Sequence, residues 1–198
     1  MRFACETAHA GPAAERAAGM RAEIPVLETE RLTLRAPVLE DFQTYAEIVL
    51  SPRGRHLDIT SRDDAWYDFA AACGNWLLRG HGIWTVTDTA QGATLGFVLL
   101  GFEPGDGEPE LGYLLSEAAE GQGIGHEAAQ AVLHHARTAL HLPRLVSYVD
   151  VANDRSIALA QRLGGRRDDA CAEADDTTLV FRHLPDRPGR ERPGEAGP

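Results

Sequence analysis

The chain has 198 residues, of which 43% are apolar and 25% charged, and it carries a net charge of −11 at pH 7. That length and balance predict one globular domain with a full hydrophobic core and exclude a wholly disordered chain. The negative charge argues against nucleic acid as a partner and is compatible with a cationic or amine substrate, and no apolar run reaches the roughly 20 residues that span a bilayer.

Residues 1–22 are Ala-rich and mixed in charge, without the basic start and apolar centre of a signal peptide. They read as a disordered extension, with Met20 as an alternative start. The domain is expected over residues 23–184. The Pro-, Gly- and Arg-rich residues 185–198 read as an unstructured tail.

Within the domain, Arg31 to Arg35 alternates polar and apolar and predicts a strand. Leu39, Phe42, Tyr45, Ile48 and Val49 recur at helical spacing, up to Ser51-Pro52. Ser61 is a candidate N-cap for a second helix, in which Trp66, Phe69, Ala70, Cys73, Trp76 and Leu77 form one stripe ending at Gly80. Gly82–Thr87 and Ala93–Phe102 predict an antiparallel hairpin, and Glu110–Leu115 the next strand.

Three glycines at alternating positions follow, in Glu120-Gly121-Gln122-Gly123-Ile124-Gly125-His126, and they open an apolar-periodic helix from Ile124 to Leu140. The amides entering a helix lack intrahelical partners, and the helix dipole adds positive character there. This stretch therefore predicts an anion cradle suited to a phosphate or pyrophosphate. Leu145–Val149 predicts a buried strand, and Ser156–Leu163 a helix ended by Gly164-Gly165. Arg166–Cys171 and Thr177–His183 predict the last two strands. The fold class is α/β of the α+β type, with a mostly antiparallel central sheet, helices on both faces and one β-α-β crossover: a three-layer α/β/α sandwich.

The three cysteines, Cys5, Cys73 and Cys171, lack metal-ligand spacing and read as free thiols in a reducing, cytoplasmic compartment, two of them packed in the fold. His134, His135 and His141 gain no carboxylate or thiol to complete a ligand set, so no metal is expected. A phosphate-binding P-loop would need a Lys and a Ser or Thr after Gly125, and a dinucleotide fingerprint would need wider glycine spacing and a parallel sheet.

The order of elements, the stretch Gly121 to Ala128 and a second signature, Asn153-Asp154-Arg155-Ser156 through Gly164, together resemble the GNAT acyl-CoA N-acyltransferases. The chain is most similar to the branch that contains the ribosomal-protein N-terminal acetyltransferases. Leu27 to Arg35 looks like that branch's opening, and the resemblance covers about Leu27 to Leu184. It implies an acetyl-CoA-dependent N-acetyltransferase whose co-substrate lies between two splayed parallel strands, here Glu110–Ser116 and Leu145–Val149. The pantetheine would pair with the backbone around Tyr113, Leu114 and Leu115. After Gly121, the pyrophosphate would sit on the amides of Gln122, Gly123, Ile124, Gly125 and His126. Asn153 and Ser156 would complete the co-substrate site, Asn153 by capping the following helix or tying it to the neighbouring strand.

Transfer to an amine needs a base, because an alkyl amine is protonated at neutral pH. Glu110 matches the position where relatives carry an acidic residue, and strand alternation makes Glu108 the reserve. A backbone N–H near Leu114 or Leu115 is the candidate to polarise the thioester carbonyl, and Ser156 resembles the residue near the sulfur. The chain departs from the family at Glu120, where Arg or Gln is usual, at His126, and at Ala160, where many relatives place a tyrosine acid. A carboxylate at Glu120 is expected to be unhelpful beside a pyrophosphate unless it points to solvent. The missing tyrosine keeps a second reading open, a non-catalytic acyl-CoA-binding module, and a third is a structural protein that keeps only the fold. The acceptor, whether a protein N-terminus or a small amine, and the choice between monomer and homodimer stay open at this point. The acceptor site is expected from residues 56–82 and the loops near Gly105 and Glu173, with Trp66, Tyr67, Trp76 and Trp84 as candidate lining residues.

Overall fold

The computed structural model describes residues 3–171 and 173–184. The expected tail at 185–198 lies outside the described residues. One eight-stranded sheet runs in the order β1-β2-β3-β4-β5-β6-β8-β7. Its strands are β1 (Leu27–Glu28), β2 (Leu32–Arg35), β3 (Ile83–Asp88), β4 (Thr94–Gly101), β5 (Glu110–Leu115), β6 (Leu145–Asp150), β7 (Arg166–Arg167) and β8 (Thr178–Leu184). All neighbours are antiparallel except β5 and β6. The helices are α1 (Pro12–Ala22), α2 (Asp41–Val49), α3 (Arg62–Arg79), α4 (Ile124–Thr138), which is the crossover from β5 to β6, and α5 (Asp154–Arg162).

Alternation along β3 and β4 divides the core between the two sheet faces. Trp84, Val86, Val98 and Leu100 pack with Ala128, Val132 and Ala136 of α4, while Ile83 and Phe97 pack with Phe42 and Tyr45 of α2 and Phe69 of α3. Both helical layers thus bury one stripe each, which is the three-layer arrangement expected from the sequence. Helix α3 begins and ends where its capping residues predict. The Ser61 Oγ accepts the Asp64 N–H at 3.1 Å, and Gly80 adopts φ 73° at the C-terminus. Its buried face is Ala65, Phe69, Ala72 and Asn75, so Ala70 and Leu77 of the predicted stripe face solvent instead.

Three further expectations change. Residues expected to be unstructured form α1, because five alanines with Pro12 at the first position favour a helix even though none of its residues is buried. The predicted strand Arg31–Arg35 is present as β2, but the longer stretch Leu27–Arg35, which resembles a single first strand of the family, is broken at Thr29–Arg31 into β1 and β2, where the Glu127 carboxylate of α4 accepts from the Thr29 hydroxyl at 2.6 Å and the Arg31 amide at 3.0 Å. The predicted strand Arg166–Cys171 shortens to two residues. Asp168 then turns to accept the Arg182 guanidinium at 2.7 Å.

Candidate active site

Among the described residues the only parallel strand pair is also the loosest. Strands β4 and β5 share six residue pairs, but β5 and β6 share one, Glu110 with Val146, before they part. Ser147 stands at the point of divergence. Its buried hydroxyl donates to the Leu111 carbonyl at 2.6 Å and lies 2.9 Å from His183 Nε2. Burial holds the His183 imidazole neutral, with its pKa pushed down to about 4. Because the Ser147 proton goes to Leu111, Nε2–H of His183 is assigned as the donor to Ser147.

Beyond this wedge the backbone of β5 faces an open cleft of about 1890 Å3. The Ser116 amide bonds the Leu95 carbonyl of the neighbouring chain segment, so antiparallel alternation spends the Leu114 N–H on β4 and turns those of Tyr113 and Leu115 toward the cleft. Of the two amides proposed from sequence to meet a carbonyl oxygen, Leu115 is therefore the available one. The Tyr113 side chain crosses to α5, where its hydroxyl donates to the Ser156 carbonyl at 3.0 Å; burial keeps this phenol protonated.

The glycine loop closes one end of the cleft. Gly121 and Gly123 adopt φ 72° and 77°, values that favour glycine, and curl the chain into α4. No side chain caps this helix, and its first intrahelical bond runs from the Glu127 amide to the Gly123 carbonyl at 3.0 Å. The amides of Ile124, Gly125 and His126 are left without helical partners, and all three residues line the cleft. Gly125 leaves no room for a side chain, since a Cβ would meet Leu115 Cδ1 at 2.9 Å. Gln122 is turned away from the cleft: its side chain folds back to the Ala118 carbonyl at 2.5 Å, and Arg31 donates to its own carbonyl at 3.1 Å. Asn153 lies across the cleft and accepts the Ser156 amide at 3.2 Å as the cap of α5. The Ser156 hydroxyl lines the cleft with no hydrogen bond among the described residues. Ala160 is fully buried, packed with Val149 and Phe181.

The two candidate bases separate clearly. Glu110 lines the cleft, and its carboxyl pKa is pushed up to about 8, first by burial and then by the nearby carboxylates of Asp106 and Glu103, against an N–H donated by Tyr148. Glu108 is instead locked to Arg182 by two bonds of 2.7 and 2.9 Å and is buried away from the cleft. Strand alternation misplaces Glu108 because β5 begins only at Glu110, so the two residues do not share one strand face. Glu108→Ala is expected to cost about 1 kcal/mol in denaturant unfolding, because Arg182 loses two bonds but keeps Asp168, and to leave kcat within about threefold of wild type. A larger loss of kcat at full folding would return Glu108 to the chemistry.

The other end of the cleft is acidic. Asp68, Glu103 and Asp106 line it with Glu110, and none of the four makes an ion pair among the described residues. Burial and their mutual repulsion raise the Glu103 carboxyl pKa, and burial raises that of Asp68, whose carboxylate accepts from the Tyr45 hydroxyl. Of the aromatic residues expected to line this end, only Tyr67 does so. Trp84 is fully buried with Trp76 set edge-on at 4.5 Å, and Trp66 packs against Phe42. Among the described residues no three His, Cys, Asp or Glu side chains gather as a metal site, and no helix is long and apolar enough to cross a membrane.

Sequence reasoning did not find the arginines at the cradle. Glu120, expected to be unhelpful unless solvated, accepts from Arg53 at 3.0 and 3.2 Å and from Arg155 at 2.7 Å. The partners lie 67 and 35 residues away, a separation that no local pattern reveals.

Comparison with known proteins agrees with this geometry. Residues 31–166 match the family model described as acetyltransferase (GNAT) domain. The chain is 31% identical over 150 residues to an uncharacterized N-acetyltransferase, p20, of Bacillus licheniformis, covering 72% of this chain and 83% of that protein. It resembles the crystal structure of an acetyltransferase from Agrobacterium tumefaciens at 38% identity and TM-score 0.75, over 81% of this chain and 94% of the other. The fold is also that of RimL, a ribosomal L7/L12 alpha-N-protein acetyltransferase solved in complex with coenzyme A, at 21% identity and TM-score 0.64, over 82% and 99% of the two chains.

Proposed function

The chain belongs to the GNAT acetyltransferase family and is an N-acetyltransferase, and we propose that its cleft takes acetyl-CoA at the glycine-loop end and a cationic primary amine at the carboxylate end. The observation that carries this reading is one continuous cleft running from the unpaired amides of α4 to Glu110. The residues present fit a thioester bearing a pyrophosphate. The Ile124, Gly125 and His126 amides and the α4 dipole would hold the anion, and the Tyr113 and Leu115 backbone would pair with the pantetheine amides. When bound, acetyl-CoA supplies the activated acyl group.

Every other role falls to the chain. Asp68, Glu103 and Asp106 concentrate a cation at the acceptor end, beside Glu110. Glu110, with a pKa near 8, accepts a proton from the attacking amine, directly or through a water. The Leu115 N–H polarises the acyl oxygen, and the Ser156 hydroxyl donates to the departing sulfur. A thiol pKa near 8.5 makes thiolate a tolerable leaving group, so Ala160 in place of a tyrosine acid does not prevent transfer. The acceptor is a protein N-terminus or a small polyamine-like molecule, attacking directly in a ternary complex. Three free thiols fit action in the cytoplasm.

Calorimetric titration of acetyl-CoA into the wild-type protein, with Gly123→Glu as control, tests the reading. The expected result is saturable binding that the variant weakens by about tenfold or more, since a side chain at Gly123 strains a left-handed residue and so disturbs the amides that open α4. Amine-dependent thiol release in the wild type completes the test. Absence of acetyl-CoA binding to the folded wild type would overturn the proposal.

A further inference from the structure

We infer that Glu120 is a positioning residue that holds Arg53 and Arg155 as a pair of guanidinium groups for the pyrophosphate of the co-substrate, beside the α4 amides. The inference rests on the reading that the cleft binds acyl-CoA. Its starting point is a conflict: a carboxylate directly before Gly121 repels a phosphate unless something compensates it. Arg53 and Arg155 do so. Two guanidinium charges meet two carboxylates, Glu120 and the exposed Glu117 at 3.4 Å from Arg53. The cluster is balanced in charge, so what it adds beside the helix dipole is N–H donors.

The donor inventory points the same way. A guanidinium carries five N–H donors. Arg53 spends Nε and Nη2 on the acids, which leaves both Nη1 protons unused among the described residues. Arg155 spends Nη1 on Glu120, which leaves Nε and Nη2 unused among the same residues. Both arginines line the same cleft as Gly121, Gly123, Gly125 and His126.

The two arginines also come from locally capped segments. Arg53 sits in a short 3-10 turn capped by Ser51, whose Oγ accepts the Arg53 amide at 3.1 Å. Gly54 of that turn packs directly on the Val49 backbone, leaving no space for a Cβ. Arg155 lies in the first turn of α5, just after the Asn153 cap. Glu120 is the hub through which these segments fix the two side chains before a ligand arrives, so less ordering remains to oppose binding.

The test measures Kd for CoA and for dephospho-CoA, which keeps the pyrophosphate but lacks the 3′-phosphate, by calorimetry at two salt concentrations. The proteins are wild type, Arg53→Ala, Arg155→Ala, Arg155→Lys and Glu120→Gln, each checked for folding by thermal unfolding. Each Arg→Ala change is expected to weaken both ligands by the same factor, about tenfold or more, and to flatten the salt dependence. Arg155→Lys should recover part of that loss. Glu120→Gln should weaken both ligands by a few-fold although it removes a negative charge, with the loss falling on KM for acetyl-CoA rather than on kcat. Tighter binding by Glu120→Gln, or a loss confined to CoA, would overturn the positioning role or the pyrophosphate assignment. A change in melting temperature with Kd unaltered would reduce the trio to a structural staple. If wild type binds neither ligand, the proposed function fails first, which keeps the two failures distinct.

Discussion

Glu110→Gln is expected to lower kcat by about 10²- to 10⁴-fold at neutral pH, the range that positioned acid–base groups supply, while acetyl-CoA binding is retained. The substitution keeps the shape of the side chain and removes only its ability to take a proton. The pH profile carries the sharper information. With a pKa near 8, roughly a tenth of Glu110 is in the basic form at pH 7 and nearly all of it at pH 9. The ratio of wild-type to variant kcat/KM should therefore rise about tenfold between those pH values. Taking the ratio removes the titration of the amine acceptor, which is common to both enzymes. A flat ratio from pH 6 to 9 would mean that another group accepts the proton.

The same shift has a consequence for stability with a defined sign. Glu110 is raised in the folded protein above its ordinary carboxylate value of 4.5. Its neutral form is therefore tolerated in full below that value, and the advantage is lost as pH rises through about 8. The amide introduced by Glu110→Gln cannot ionise, so the melting temperatures of variant and wild type should nearly coincide at about pH 4 and separate progressively toward pH 9, with the variant the more stable. This is the activity–stability exchange expected where an unpaired carboxyl is kept in a cleft for use.

Asp41→Ala is expected to have the largest effect on folding. Asp41 is buried at the start of α2 and accepts from both terminal nitrogens of Arg35, at 2.7 and 2.9 Å. It also accepts from the Val38 amide and the Thr85 hydroxyl, each at 2.8 Å. One side chain thus ties β2, β3 and the first turn of α2 together, beside the aromatic cluster of Phe42, Tyr45, Phe69 and Phe97. Removing it strands a half-buried guanidinium and two further donors, which costs about 3 kcal/mol and lowers the melting temperature by roughly 6–12 °C for a domain of this size. Asp41→Asn should recover part of the loss, since an amide oxygen still meets Val38 and Thr85 but cannot balance Arg35. A loss under about 1 kcal/mol in Asp41→Ala would show that Arg35 finds another partner.

The start and stop of α3 were legible because their cause is local. Ser61 and Gly80 bracket α3 as expected, because a cap needs only atoms within four residues. The glycine loop and the uncapped start of α4 were legible for the same reason, since Gly121, Gly123 and the unpaired amides belong to one short stretch. Apart from α1, which forms on local propensity and buries no residue, errors appear where a partner is distant. The break between β1 and β2 depends on Glu127, almost 100 residues later in the chain. The face of α3 shifted because its stripe packs on two elements at once, α2 and the sheet, and not on a single plane.

The sequence by itself carried the family resemblance in two short motifs, and it determined the order of the sheet's strands with helices α2 to α5 and the glycine loop that opens α4, because these elements follow from periodicity, glycine conformation and capping along contiguous chain. Only the tertiary structure decided which carboxylate is available for chemistry. Glu108 and Glu110 are two residues apart and chemically alike, yet Arg182 reaches across from β8 to neutralise the first, while burial among acids raises the pKa of the second. The tertiary structure likewise recast Glu120 from an obstacle into the hub of two arginines, because ion pairing depends on distance in space and no local sequence pattern encodes it.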